Sequence, residues 1–226
     1  PDGVAGNADD GPSIAGFNLA PALVGLPSRN VLSNAPAKND YYTFEISGNK
    51  RMIGRWSLMT AFTYRWNQDD ASAYFGNATR ANALPRTPND LINTADDDTY
   101  HFTTWAVKIH GTVEAPWGWR VTPMLRHQAG QPWGRTFVGR FNYGNIRVLA
   151  EPLGTRRQDN FTILDLRAER VFQLPNGRSV SGFVDLYNIL NSNAEQNITW
   201  SSGSSYLRPL TIVPPRIARF GAKFQW

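Results

Sequence analysis

The residues best suited to proton transfer or metal binding are the three histidines, His101, His110 and His127. None stands in a His-Glu-x-x-His run, and neither a Gly-x-Ser-x-Gly elbow nor a phosphate-cradling glycine loop accompanies them. With no cysteine in the chain, thiolate metal sites and disulfides are excluded. Asp96, Asp97 and Asp98, with Asp69 and Asp70 in the same polar stretch, could gather Ca2+ through carboxylate oxygens. Their spacing is not that of an EF-hand loop, and a solvated loop is the simpler reading. No catalytic residue, cofactor or metal is therefore expected. The triplets starting at Asn77, Asn160 and Asn197 match glycosylation acceptors, but so short a pattern arises readily by chance.

Two groups remain that could recognise something. Trp133, Tyr143, Trp200 and Tyr206 lie in polar stretches, where aromatic rings either grip a ligand or pack the loop. Lys108, His110, Glu114, Arg120, Arg126, Asp165, Arg167, Glu169, Asp185 and Lys223 occupy the polar positions of alternating segments. A hydrated lattice of cross-strand charges accounts for most of them, with Lys108, Arg126 and Arg167 as candidate contacts to a substrate or an inner domain. The net charge is +5, but Lys and Arg are scattered, so a nucleic-acid surface is not indicated.

The elements that must hold these residues follow from period-2 alternation. Trp56, Leu58, Phe62, Tyr64 and Trp66 share one face of a strand. Trp105, Val107 and Ile109 do so in the next, followed by Trp119, Val121 and Leu125, then Leu164 and Leu166, then Val180, Val184 and Leu186, and finally Phe220, Phe224 and Trp226. With a weaker segment around Tyr42, seven strands are expected, near 41–48, 55–67, 102–115, 119–129, 161–174, 179–190 and 216–226. Residues 1–40, rich in Gly, Pro, Ala and Asn, read as loop.

Connections alternate strictly between short turns (48–54, 115–118, 175–178) and long polar stretches (69–100, 130–160, 191–215), the latter expected without regular structure. Long structureless loops count against a compact soluble domain. They suit an outer-membrane barrel, with short turns on the periplasmic side and long loops outside. Trp56 and Trp66 lie about 33 Å apart along a strand at roughly 3.3 Å per residue. A tilt of about 40° reduces this to a height of roughly 25 Å, the apolar band of such barrels. Trp and Tyr favour the interfaces bounding that band, which places Trp66 and Trp105 in an upper girdle and Trp56, Trp117, Trp119 and Trp226 in a lower one. The expected fold is all-β, with antiparallel up-and-down strands that form part of a large transmembrane barrel. Trp56, Leu58, Phe62, Tyr64, Trp66, Trp105, Val107, Ile109, Trp119, Leu164, Leu166, Phe220 and Phe224 would face lipid.

The C-terminal third carries motifs of a known family. Phe161-Thr-Ile-Leu-Asp-Leu-Arg-Ala-Glu-Arg-Val-Phe172 precedes a tight turn, then Gly182-Phe-Val-Asp-Leu-Tyr-Asn-Ile-Leu-Asn191, then Pro215-Arg-Ile-Ala-Arg-Phe-Gly-Ala-Lys-Phe-Gln-Trp226. In order and spacing this resembles the closing strands of TonB-dependent outer-membrane receptors, especially the Oar-like group. Ala115-Pro-Trp-Gly118 with Gln128-Ala-Gly-Gln-Pro132 is similar to a further motif pair of that group. The resemblance spans roughly residues 41–226. It implies a plugged barrel of about 22 strands in the bacterial outer membrane, of which these strands are the C-terminal part. It also implies energy-coupled uptake of a scarce nutrient, with an N-terminal plug and, through that part, TonB as partners. Phe220, Phe224 and Trp226 would then form the signal read by the outer-membrane assembly machinery, although members more often end in Phe. A passive porin and a secreted soluble β-sandwich binding module are the alternatives. The β-sandwich requires the Trp56 face to be buried beneath a second sheet.

Overall fold

The structure is a computed structural model that describes residues 11–27, 40–70, 87–93 and 99–226. The strands in chain order are β1 (Asp40–Ile53), β2 (Trp56–Asp70), β3 (Thr99–Ala115), β4 (Trp119–Gln128), β5 (Pro132–Trp133), β6 (Thr136–Phe141), β7 (Gly144–Leu149), β8 (Arg156–Arg157), β9 (Phe161–Gln173), β10 (Ser179–Tyr187), β11 (Glu195–Ile198), β12 (Pro209–Ile212) and β13 (Ile217–Gln225). Seven of these form one antiparallel up-and-down sheet in the order β1-β2-β3-β4-β9-β10-β13. They are the seven strands expected from the alternation. The sheet is open, and among the described residues the outer edges of β1 and β13 have no strand partner.

Boundaries differ where a local signal misleads. Gly48 marks no turn, because it pairs with Thr60 inside β1, and the hairpin closes instead at Gly54-Arg55, past an irregularity between Lys50 and Ile53. Gly54, at φ +76°, supplies the left-handed backbone that so tight a reversal needs. β2 and β3 pair out to Asp70 and Thr99, so Trp66 and Trp105 stand inside their strands, not at the ends. β10 stops at Tyr187, where Asn188 turns left-handed. The other short turns share one design. Pro116-Trp117-Gly118 and Pro175-Asn176-Gly177 each place two successive residues at positive φ, 62° and 77° in the first, 63° and 73° in the second. Asn-Gly suits this conformation, whereas a bulky Trp117 does not.

Two of the long connections are not structureless, contrary to the sequence expectation. Residues 130–160 fold into the β6–β7 hairpin bracketed by the β5–β8 pair, and residues 191–215 carry the β11–β12 pair. Their apolar residues are interspersed among polar ones, so average composition concealed the pairing. These loops also hold the interior. The buried apolar residues are Tyr100, Trp133, Val148, Leu149, Leu153, Phe161, Ile198 and Val213, every one at the long-loop end. Residues 11–27 contain only a short 3-10 turn and dock there too. Asn89 accepts from the Phe17 N–H (2.8 Å) and donates to its carbonyl (2.7 Å), and Asn142 treats Leu19 alike (2.9 and 2.8 Å).

Candidate functional site

The register separates a mainly apolar face of the sheet from a charged one. Phe44, Tyr64 and Trp105 lie in line across β1–β3, as do Ile46, Phe62 and Val107. Ile109, Leu125 and Leu164 continue the same face over β3, β4 and β9. Leu166 pairs with Leu186, and Val184 with Phe220. Trp56, Leu58, Trp66, Trp119 and Phe224 share it. No element of the described residues covers this face. Trp56 and Trp66 are about half exposed and Phe220 is 76% exposed.

The opposite face carries most of the charged residues, with Met59, Met124, Ile163 and Phe183 among them. Hollows of about 590 and 200 Å³ open on it, the first lined by Glu45, Thr63, Arg65, Thr104, Lys108 and Gln128, the second by Arg120, Glu169, Ser179, Ser181 and Lys223. Acid and base face each other in register. Arg120 reaches Glu114 at 3.0 Å and Glu169 at 4.0 Å, and Ser181 donates to Glu169 at 2.7 Å. Asp185, 4% exposed, accepts from Arg219 Nε and Nη2 at 3.0 and 2.6 Å, while Arg167 stands 3.7 Å away on its other side. These are two charge triads across neighbouring strands; in the second, the two arginines compensate the desolvation of Asp185, whereas Arg120 at the centre of the first is exposed. Arg167 is thus a lattice member, and it also lies 3.9 Å from the Phe183 ring centroid. Lys108 and Arg126 differ. They pair directly across β3–β4 as like charges, and neither has an ion-pair partner among the described residues. Arg126 rests over the Phe161 ring at 4.8 Å.

The family-like motif turns out to be a clasp. Asp165 accepts the Asn188 N–H at 2.7 Å, joining β9 to the end of β10. The Asn188 side chain, buried and at φ +50°, donates to the carbonyls of Ser192 (2.9 Å) and Pro214 (2.8 Å) and accepts the Ser192 N–H (2.8 Å). Asn191, also at φ +50°, accepts the Arg216 N–H at 3.1 Å. The loop 191–215 is therefore pinned at both ends by amide side chains. Sequence reading placed the motif but assigned these asparagines no role.

Of the four loop aromatics, three come together. Trp133 stacks on Trp200 (centroids 6.4 Å apart) and meets Tyr206 edge-on at 6.3 Å, while Arg156 covers it at 5.5 Å. Trp133 is only 4% exposed, so this group packs the loops and presents no open gripping surface. Burial raises the pKa of the Tyr206 phenol against the opposing field of Arg156, whose own pKa is raised by its hydrogen bond to Glu151. Tyr143 stands apart, stacked on Phe141 and hydrogen-bonded to Asn89. His110 lies on the polar face. His127 is on the other, 4.9 Å from Trp105 and hydrogen-bonded to Thr162. Asp96–Asp98 and Asn77 lie outside the described residues, as do the side chains of Asp69 and Asp70. Among the described residues no three metal-ligating side chains cluster, and no helix is long and apolar enough to cross a membrane.

Compared with protein-family models, curated proteins and solved structures, the chain matches none.

Proposed function

We propose that these strands are a stretch of the wall of a transmembrane β-barrel in the bacterial outer membrane. The observation that carries the reading is the uncovered, mainly apolar face that spans seven strands and is backed by an ion-paired one. In water so broad an exposed apolar surface is a liability. Against hydrocarbon it is the outer wall of a barrel, with the charge lattice as the wetted interior. The soluble β-sandwich needs a second sheet on that face, and none of the described residues provides one. The loop cap at one end and three turns of two to five residues at the other suit a barrel whose long loops face outward.

Within this class, the order of the Asp165–Arg167, Asp185–Asn191 and Pro215–Trp226 motifs favours a TonB-dependent receptor. Its N-terminal plug would sit within about 22 strands, and these would be the C-terminal ones. The seven strands supply wall, lumen lattice and part of the outer capture surface, and Phe220, Phe224 and Trp226 the assembly signal. Lys108 and Arg126, basic and without acidic partners, are the wall residues best placed to meet an anionic group of plug or cargo.

The test is reconstitution of the full-length protein into vesicles. Heat-modifiable migration and protection of the β2–β4 backbone from protease are expected. A monodisperse, cooperatively melting species in detergent-free buffer would refute the membrane reading. Large, ungated conductance in planar bilayers would refute the plugged receptor in favour of a porin.

A further inference from the structure

Charge enters the apolar face at one rim. Register puts Lys50 there, opposite Leu58, and Arg170, opposite both Trp119 and Gly182. Both lie at the short-turn end, and both are held against aromatic rings. Lys50 Nζ is 3.7 Å from the Trp56 centroid and donates to the carbonyls of Trp56 (2.9 Å) and Ile53 (3.2 Å). The Arg170 guanidinium lies 4.9 Å over Phe172 and 5.7 Å over Trp119, and its buried Nε has no hydrogen-bond partner among the described residues. Beside it the face is notched. Gly182 is exposed, a Cβ there would meet nothing within 4 Å, and Ala222 stands across from it. The short turns add Arg51, Arg55 and Arg178, with no acidic residue in 50–56, 115–119 or 173–179.

A cation beside an apolar band, with an orphaned N–H and open space next to it, matches a ligand that is anionic at one end and aliphatic at the other. We infer that Arg170 and the notch over Gly182 bind the phosphate of an anionic phospholipid. The acyl chains lie on Val121, Val184 and Phe220, in the row next to Arg170 toward the middle of the sheet, and Lys50 with the turn arginines supplies the surrounding positive field. Free phosphate would have no use for the flanking apolar surface. The inference rests on the membrane reading.

The experiment uses the full-length protein, delipidated in neutral detergent and offered equimolar phosphatidylglycerol and phosphatidylcholine of identical chains, with retained lipid counted by native mass spectrometry. Wild type should retain the glycerol lipid preferentially, and millimolar inorganic phosphate should not displace it. Arg170→Gln should cut the preference roughly tenfold, the worth of one charge-assisted hydrogen bond. Arg170→Lys should keep most of it. Gly182→Leu, which fills the notch and leaves the charge, should lower it as well. Equal retention of the two lipids by wild type, or a preference untouched by Arg170→Gln and Gly182→Leu in variants that still migrate as folded barrels, would overturn the site. Failure of wild type to enter bilayers at all would instead strike the membrane reading.

Discussion

Replacing Asn188 by Ala tests whether the family-like motif is a clasp or merely a stretch of strand. Three side-chain hydrogen bonds disappear, two to carbonyls and one from the Ser192 N–H. At about 1 kcal/mol net each this is roughly 3 kcal/mol. Asn188 also holds φ +50°, where Ala costs about 1 kcal/mol more than Asn. The sum is about 4 kcal/mol. Asn188→Gly removes the bonds but relieves the backbone, so it should cost about 3 kcal/mol. Urea unfolding of the full-length protein reconstituted into vesicles, followed by Trp fluorescence, gives both values. The effect should concentrate in loop 191–215, whose amides exchange faster in hydrogen–deuterium measurements while β2–β4 stay protected. A loss below about 1 kcal/mol for Ala, or Gly costing more than Ala, would refute the clasp.

Other expectations follow from the same geometry. Phe62→Arg, in the middle of the apolar face, should cost about 2–4 kcal/mol of folding free energy in vesicles; an unchanged value would mean that the residue does not meet hydrocarbon. Trp117→Asn should stabilise by roughly 0.5–1 kcal/mol, since Asn accepts the left-handed backbone that Trp117 now occupies; a loss of stability would show that its exposed ring contributes more than its backbone costs. Trp133→Ala should remove about 3–5 kcal/mol locally. Hydrogen exchange should show the β6–β7 amides opening and the sheet unaffected; melting of the whole sheet would contradict a separate loop core.

Strand positions were legible because an open sheet with unlike faces writes itself as alternation, and Trp56 to Trp66 displays it with Thr60 the one polar residue on the apolar side. Gly48 misled because glycine is a common turn residue, yet a strand tolerates it where the neighbour across is as small as Thr60. The loops were illegible for a different reason. Tyr100 joins Leu149 and Leu153 in a core only through contacts across about 50 residues of sequence. No local period records such contacts. The charges of the polar face were readable as a face but not as partners, since Arg167–Asp185–Arg219 depends on register. Arg170 escaped notice as a polar residue on the apolar side of β9, and only its pairing with Trp119 and Gly182 shows the company it keeps.

The central claim is that hydrocarbon covers the side of the sheet bearing Leu58, Phe62, Val107 and Leu166. Labelling of the reconstituted full-length protein with a lipid-soluble photoreactive probe, read by peptide mass spectrometry, tests it most directly. Adducts are predicted on those four residues and not on Lys108, Arg126 or Glu169. Adducts on the charged set with the apolar four spared would contradict it.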